Sequence, residues 1–376
     1  MLVCSLCSAP YPAAVPRWRC DCGSYLRLDG AGMFELAALR DRPANLWRYR
    51  EALGLDPETQ AVSLGEGFTP LVAAQLGAYP MLLKLDFVCP TGSYKDRGST
   101  VMLSQFREWG IEEIVEDSSG NAGASVAAYA AMAGIRARIF VPSHASGGKL
   151  AQILQYGAEL VRVPGSREDT TTACLAAAEK TFYASHNWSP YFQAGMKTVA
   201  YEIAEQLDWQ APDWVVTPVG GGSLLLGLYH GFRELHEAGM VGHVPRIAGV
   251  QSVQCPPVYQ AWQRNLTDVL GVVKGETIAE GISMAKPVKG RDILQALHAS
   301  DGVVLTVDDA AVWTAVEALG RVGVAVEPTG AVSAAGVESL AREGLMSPGQ
   351  RVVVVLTGSG LKATDKIMEH YAKHPS

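Results

Sequence analysis

No stretch of the 376-residue sequence is apolar for long enough to cross a bilayer, although 48% of its residues are hydrophobic. A helical membrane protein is therefore excluded. The start, MLVCSLCSAP, lacks the basic n-region of a secretory leader, so the chain is expected to work in the cytoplasm. Blocks rich in lysine or arginine are missing too, and the net charge is −7. This argues against nucleic acid as a partner and in favour of small molecules. No GK[ST] follows any glycine loop, which removes a Walker A site, and neither an internal repeat nor a low-complexity linker interrupts the chain. TGSGLKA, residues 357 to 363, matches GxGxxA but lies too near the C-terminus for a βαβ unit to follow.

What is present is alternation. From residue 81 onward, apolar strand-like runs such as EEIVEDS, RARIFVP, AELVRVP, DWVVTPV, RIAGVQ, GVVLTV and RVVVVLTG alternate with segments of helical period. The pattern predicts an α/β fold with mostly parallel open sheets, and the length suits two comparable lobes with a small appendage. Residues 31 to 60 read as mainly helical, with ANLWRYREALG the clearest segment.

Four of the seven cysteines crowd the N-terminus as Cys4-x2-Cys7 and Cys20-x-Cys22, with twelve residues between the pairs. Two such knuckles can offer four thiolates to one tetrahedral zinc; the alternative is a short tail with reduced, empty cysteines. Cys89, Cys174 and Cys255 are isolated and read as small packing residues.

Three corners between strand and helix carry unusual residues. Lys95, in PTGSYKDRG, follows the strand-like MLLKLDF and opens an amphipathic helix, a place where unpaired N–H groups attract ligands. In SSGNAGAS, the hydroxyls of Ser118 and Ser119, the amide of Asn121 and the N–H groups from Gly120 to Ala122 suit a carboxylate. An ordinary N-cap by Ser119 or Asn121 explains the same residues. The triglycine Gly220-Gly221-Gly222, followed by Ser223, lets bare N–H groups converge on a phosphate, whereas a tight turn alone explains only one glycine. An amine, a carboxylate grip, a phosphate cradle and a hydroxyl at Thr357 for a ring nitrogen together suit pyridoxal 5'-phosphate.

The sequence resembles the threonine synthases and their paralogues among fold-type II pyridoxal-phosphate enzymes. SLGEGFTPL, PTGSYKDRG, SSGNAGAS, GMKTVAYEIAEQL, PDWVVTPVGGGSLLLG, EPTGAV and VVVVLTGSGLK stand in the family's order. The resemblance implies a two-lobed, tryptophan synthase β-like fold. It implies a cysteine module over residues 1–30, a large cofactor-binding domain over 31–92 and 205–376, and a small substrate-binding domain over 93–204. Lys95 would carry the cofactor as a Schiff base and move protons. Asn121 would bond the ring hydroxyl; Gly220, Gly221, Gly222 and Ser223 would hold the phosphate, and Thr357 would face the ring nitrogen. Ser118, Ser119, Gly120, Ala122, Asn187, Ser189 and Lys197 would line the substrate.

The implied reaction is side-chain elimination followed by addition of water or another nucleophile, with O-phosphohomoserine to threonine as the type reaction. The alternatives are a serine or threonine dehydratase, a β-replacement synthase, and a non-catalytic paralogue that merely binds the cofactor. A homodimer is usual among relatives. The sequence departs from the family pattern at HNWSPYFQAGMKT, where Phe192 stands in place of a phosphate-gripping arginine, and at Ala122, which replaces a common threonine.

Overall fold

The computed structural model describes residues 1–145 and 147–373. They form two compact units, Met1–Phe68 with Cys89–Thr198, and Thr69–Val88 with Val199–Ser376. Residues 31–68 thus cluster with the unit that contains Lys95.

The first unit holds two sheets. At the N-terminus, Leu2–Cys4 pairs antiparallel with Pro10–Tyr11 on one side and Leu26–Leu28 on the other. The second sheet is wholly parallel, in the order Glu159–Val163, Arg136–Pro142, Glu113–Glu116, Phe182–Tyr183. Helices Asp96–Glu108, Asn121–Ala133, Gly148–Gln155, Arg167–Ala177 and Pro190–Met196 belong to the same unit.

Where a long helical region was expected, residues 31 to 60 form only two tight 3-10 segments, Leu36–Asp41 and Leu46–Leu53. Pro43 interrupts the run, Asn45 caps the second segment through Trp47 N–H at 3.0 Å, and left-handed Gly54 ends it. The glycine loop that follows is anchored by buried Glu66. Its carboxylate accepts from Trp47 Nε1, Ser63 Oγ, Leu64 N–H and Tyr129 Oη, which satisfies a charge that would otherwise be costly to bury.

The second unit is built on six strands in the order Val303–Val307, Arg246–Ser252, Trp214–Pro218, Val352–Leu356, Tyr79–Leu85, Leu71–Leu76. All neighbours are parallel except the last pair, which turns back antiparallel at the edge. The central strands Trp214–Pro218 and Val352–Leu356 are buried at every residue. Their Val-rich sequences fit strands covered on both faces. One charge lies inside this layer: Lys84 Nζ donates to Thr69 O at 2.7 Å, Glu202 Oε2 at 2.8 Å and Gln206 Oε1 at 2.9 Å. Removing one partner of such a buried pair typically costs about 3–5 kcal/mol, because the other charge is left uncompensated. Among the described residues, no helix is long and apolar enough to cross a membrane.

Candidate active site

Lys95 is the N-cap residue of the helix Asp96–Glu108 and is half-buried. Its two successors fix the corner. Buried Asp96 accepts from Thr91 N–H at 2.7 Å, Thr91 Oγ1 at 2.6 Å and Ser125 Oγ at 2.7 Å, closing the loop that precedes the lysine. Arg97, also buried, donates to Thr198 Oγ1 at 3.0 Å. The Lys95 amine is flanked by aromatic faces, 4.8 Å from the Tyr94 ring centre and 5.7 Å from that of Phe192. Phe192 is fully buried, and a Cβ at position 98 would run into its ring, so only glycine fits there.

Two neighbouring parallel strands aim further polar residues at the same end of their sheet. Glu113–Glu116 leads into Ser118, Ser119 and Gly120, and then into the helix Asn121–Ala133. The capping alternative is not what is observed: Gly120 is the N-cap and no side chain caps the helix. Ser118 Oγ instead accepts from Gly120 N–H at 3.3 Å, and Ala122 is buried. The helix opening therefore keeps N–H groups able to meet an anion.

Phe182–Tyr183 leads into the second turn, which carries His186, half-buried Asn187 and Ser189. Ser189 caps the helix Pro190–Met196 by accepting from Phe192 N–H at 3.2 Å, and Lys197 at its far end donates to Ala52 O at 2.7 Å. His186 Nδ1 lies 2.7 Å from Glu116 Oε1. Burial pushes the Glu116 carboxyl well above the usual range, and Asp117 adds to the effect while Arg167 and Lys95 oppose it. Neither Glu116 nor His186 stands out in the sequence. The available signal is a carboxylate closing an otherwise apolar strand.

The second unit carries its own constellation at the C-terminal ends of its two central strands. Strands Trp214–Pro218 and Val352–Leu356 are parallel neighbours, so the triglycine after the first and Thr357 after the second emerge at the same end. Gly222 caps the helix Ser223–Glu237 in a left-handed conformation, φ 84°, and a Cβ there would collide with Ile293. A Cβ on Gly220 would stand 2.9 Å from Ile282 Cα, so the cradle admits bare backbone only. Ser223, buried, is the first residue of that helix. Thr357 is 2% exposed, and its Oγ1 is buried without a hydrogen-bond partner. An unmade bond of this kind costs about 1–3 kcal/mol, so the hydroxyl suits a polar atom of a ligand. A cradle for a phosphate beside an unspent hydroxyl fits pyridoxal phosphate.

At the N-terminus, the Sγ atoms of Cys4, Cys7, Cys20 and Cys22 all lie within 4.8 Å of one another. Cys4 and Cys22 are 3.5 Å apart and Cys7 and Cys20 3.6 Å. Zinc–sulfur bonds of about 2.3 Å in a tetrahedron separate the sulfurs by about 3.8 Å. Backbone N–H groups of Leu6 and Cys7 point at Cys4 Sγ, both at 3.4 Å. The Tyr11 hydroxyl, 3.1 Å from Cys20 Sγ, and then the Cys22 N–H lower the Cys20 thiol to about 6. The cluster can therefore hold a thiophilic cation.

Comparison with known proteins agrees with this geometry. The sequence profile described as "Pyridoxal-phosphate dependent enzyme" matches residues 62–358. A threonine synthase of Methanocaldococcus jannaschii is 34% identical over 375 residues, covering 96% of this chain and 93% of that protein. Among solved structures, the processed form of threonine deaminase isoform 2 from Solanum lycopersicum superimposes with a TM-score of 0.72 at 19% identity, over 96% of this chain and 95% of that one. A fungal L-serine ammonia-lyase from Rhizomucor miehei gives 0.70 at 24% identity, over 84% and 100%. The two structural likenesses speak for the fold.

Proposed function

We propose, from the premise that this chain belongs to the pyridoxal-phosphate-dependent enzymes and to their threonine-synthase-like branch, that it removes a side-chain leaving group from a small amino acid and adds water or another nucleophile. O-phosphohomoserine to threonine is the type reaction. The observation that carries this reading is the buried, partnerless hydroxyl of Thr357, at the same end of the central strands as the triglycine. A neutral hydroxyl beside a ring nitrogen does not hold that nitrogen protonated as a carboxylate would, which suits elimination and replacement.

Pyridoxal phosphate, when bound, supplies an electron sink that acidifies the substrate's Cα–H. On this reading Lys95 would hold the cofactor, and its amine would carry the proton at the substrate's Cα. The N–H groups of Gly220, Gly221 and Gly222, with Ser223, hold the phosphate. Asn121 bonds the ring hydroxyl, and Ser118, Ser119, Gly120 and Ala122 orient the substrate carboxylate. Asn187, Ser189 and Lys197 belong to the turn that borders the side chain. In these terms residues 93–204 are the small substrate-binding domain, and 31–92 with 205–376 the large cofactor-binding domain. Cys4, Cys7, Cys20 and Cys22 are assigned to one structural zinc.

A second reading, a dehydratase or β-replacement synthase acting on a substrate without phosphate, is favoured by Phe192. By the family resemblance this residue stands in place of an arginine; its buried ring near Lys95 offers no charge to a phosphate dianion. Incubating the holoenzyme separately with phosphohomoserine, threonine and serine, and assaying phosphate, threonine and keto acid, separates the two. Phosphate release with threonine formation supports the first reading and keto acid without phosphate the second. No product from any of the three contradicts both.

A further inference from the structure

Glu116 ends one strand of the parallel sheet, and His186 stands three residues beyond its neighbour Phe182–Tyr183. The 2.7 Å contact between Glu116 Oε1 and His186 Nδ1 puts one proton between them and ties together the two loops that begin at these strand ends. Glu116 is fully buried, and its second oxygen has no hydrogen-bond partner. The His186 ring meets the Phe192 ring edge-on, 5.8 Å between centres, and the Lys95 amine lies 5.7 Å from the centre of the same Phe192 ring.

Two ionisable groups cost more to bury than an apolar pair of similar volume, so packing gives no reason for a glutamate and a histidine here. The pair occupies the tips of two strands at the sheet end where α/β folds bind ligands. Phe192 itself brings no cation to the substrate's leaving end, and the nearby Arg167 is engaged by Asp117. An imidazole supplies what the ring lacks, a hydrogen-bond donor whose charge changes near neutral pH.

We propose that Glu116 and His186 form a positioning pair for the leaving end of the substrate. Glu116 orients the imidazole, and His186 donates a hydrogen bond to a side-chain oxygen of the hydroxyl or hydroxyl-ester class. The proposal rests on the elimination and replacement reading above and adds to it the residue that recognises the departing oxygen. The pair is faced by Asp117 beyond its own strand, Arg167 and Cys174 of the helix Arg167–Ala177, Tyr183 of the neighbouring strand, and Lys95. Of these, Arg167 is engaged by Asp117 at 3.0 Å, which leaves Glu116 to His186.

The test uses holoenzyme with phosphohomoserine, serine and threonine as probes. The ring-nitrogen signals of His186 are followed by NMR against pH, with and without each amino acid, in the native chain and in Glu116→Gln. His186→Asn is examined for KM and kcat separately. The proposal expects an amino-acid ligand to shift the His186 titration midpoint, and Glu116→Gln to lower that midpoint by removing the facing carboxylate. It expects His186→Asn to raise KM roughly tenfold, the scale of one hydrogen bond, and to raise it more than it lowers kcat. Normal cofactor affinity in the variant would show that its fold is intact. A midpoint indifferent to all three ligands overturns the pair's role, as does a His186→Asn enzyme with native KM values for every substrate turned over. Ligands that bind and shift the midpoint without any turnover would instead count against the assigned reaction and leave the pair supported.

Discussion

The Nζ of Lys95 stands 5.7 Å from the centre of the Phe192 ring, a ring fully buried against Gly98. An aromatic face attracts an ammonium group by about 0.5–2 kcal/mol, whereas a guanidinium at the same position would repel it. Position 192 therefore acts on the lysine.

Phe192→Arg is expected to shift preference towards phosphohomoserine. Each charge-assisted hydrogen bond to the phosphate is worth roughly 1.5–3 kcal/mol, so the ratio of kcat/KM for phosphohomoserine over serine or threonine should rise by about tenfold or more. Phe192→Leu, which removes the ring without adding charge, should not produce this rise. Steady-state kinetics on all three substrates checks it; an unchanged ratio in the arginine variant means that position 192 does not border the leaving group.

Thr357→Val keeps the shape of the side chain and removes its hydroxyl. With Oγ1 otherwise unpartnered, the loss should fall on the cofactor alone, at about 1 kcal/mol or roughly fivefold in affinity. Titration of apoenzyme with pyridoxal phosphate measures this. Unchanged affinity together with unchanged turnover would remove the residue from the site.

The cysteine cluster is expected to bind about one equivalent of zinc, as a four-thiolate site does. Metal analysis of protein purified without chelators should find it, and the double variant Cys4→Ser, Cys20→Ser should lose it. Metal content that survives both substitutions would place the ion elsewhere.

Glu116 gives the folded protein a specific pH dependence. Its carboxyl is pushed up by burial, so the folded chain holds this proton more tightly than the unfolded chain does. The associated stability is full below the ordinary glutamate value and is lost as pH rises through the raised folded value. Glu116→Gln has no proton to lose there, so its stability relative to the native chain should increase as pH rises above the ordinary glutamate value of about 4.3. Urea midpoints across that range provide the comparison, and a pH-independent difference contradicts it.

The parallel strands and the three corners were legible because buried strands in this fold are short, β-branched runs and the corners carry glycine clusters. The antiparallel edge strand Leu71–Leu76 was not. Its sequence, LVAAQL, has a weak strand preference in the middle and is held by pairing with Tyr79–Leu85. The 3-10 turns of residues 36–53 were hidden for a related reason: the helical spacing of ANLWRYREALG is real, but Pro43 and the kink at Tyr49 decide the backbone. Pairs made across distant segments were the least legible. Glu116 and His186 are 70 residues apart and share no local motif.

The central claim is that Lys95 carries pyridoxal phosphate. Borohydride reduction of the holoenzyme followed by peptide mapping should put the pyridoxyl label on the peptide containing Lys95, with Lys95→Ala unlabelled. A label on Lys197, whose amine is engaged by the Ala52 carbonyl at 2.7 Å, or on any other lysine, would contradict the account.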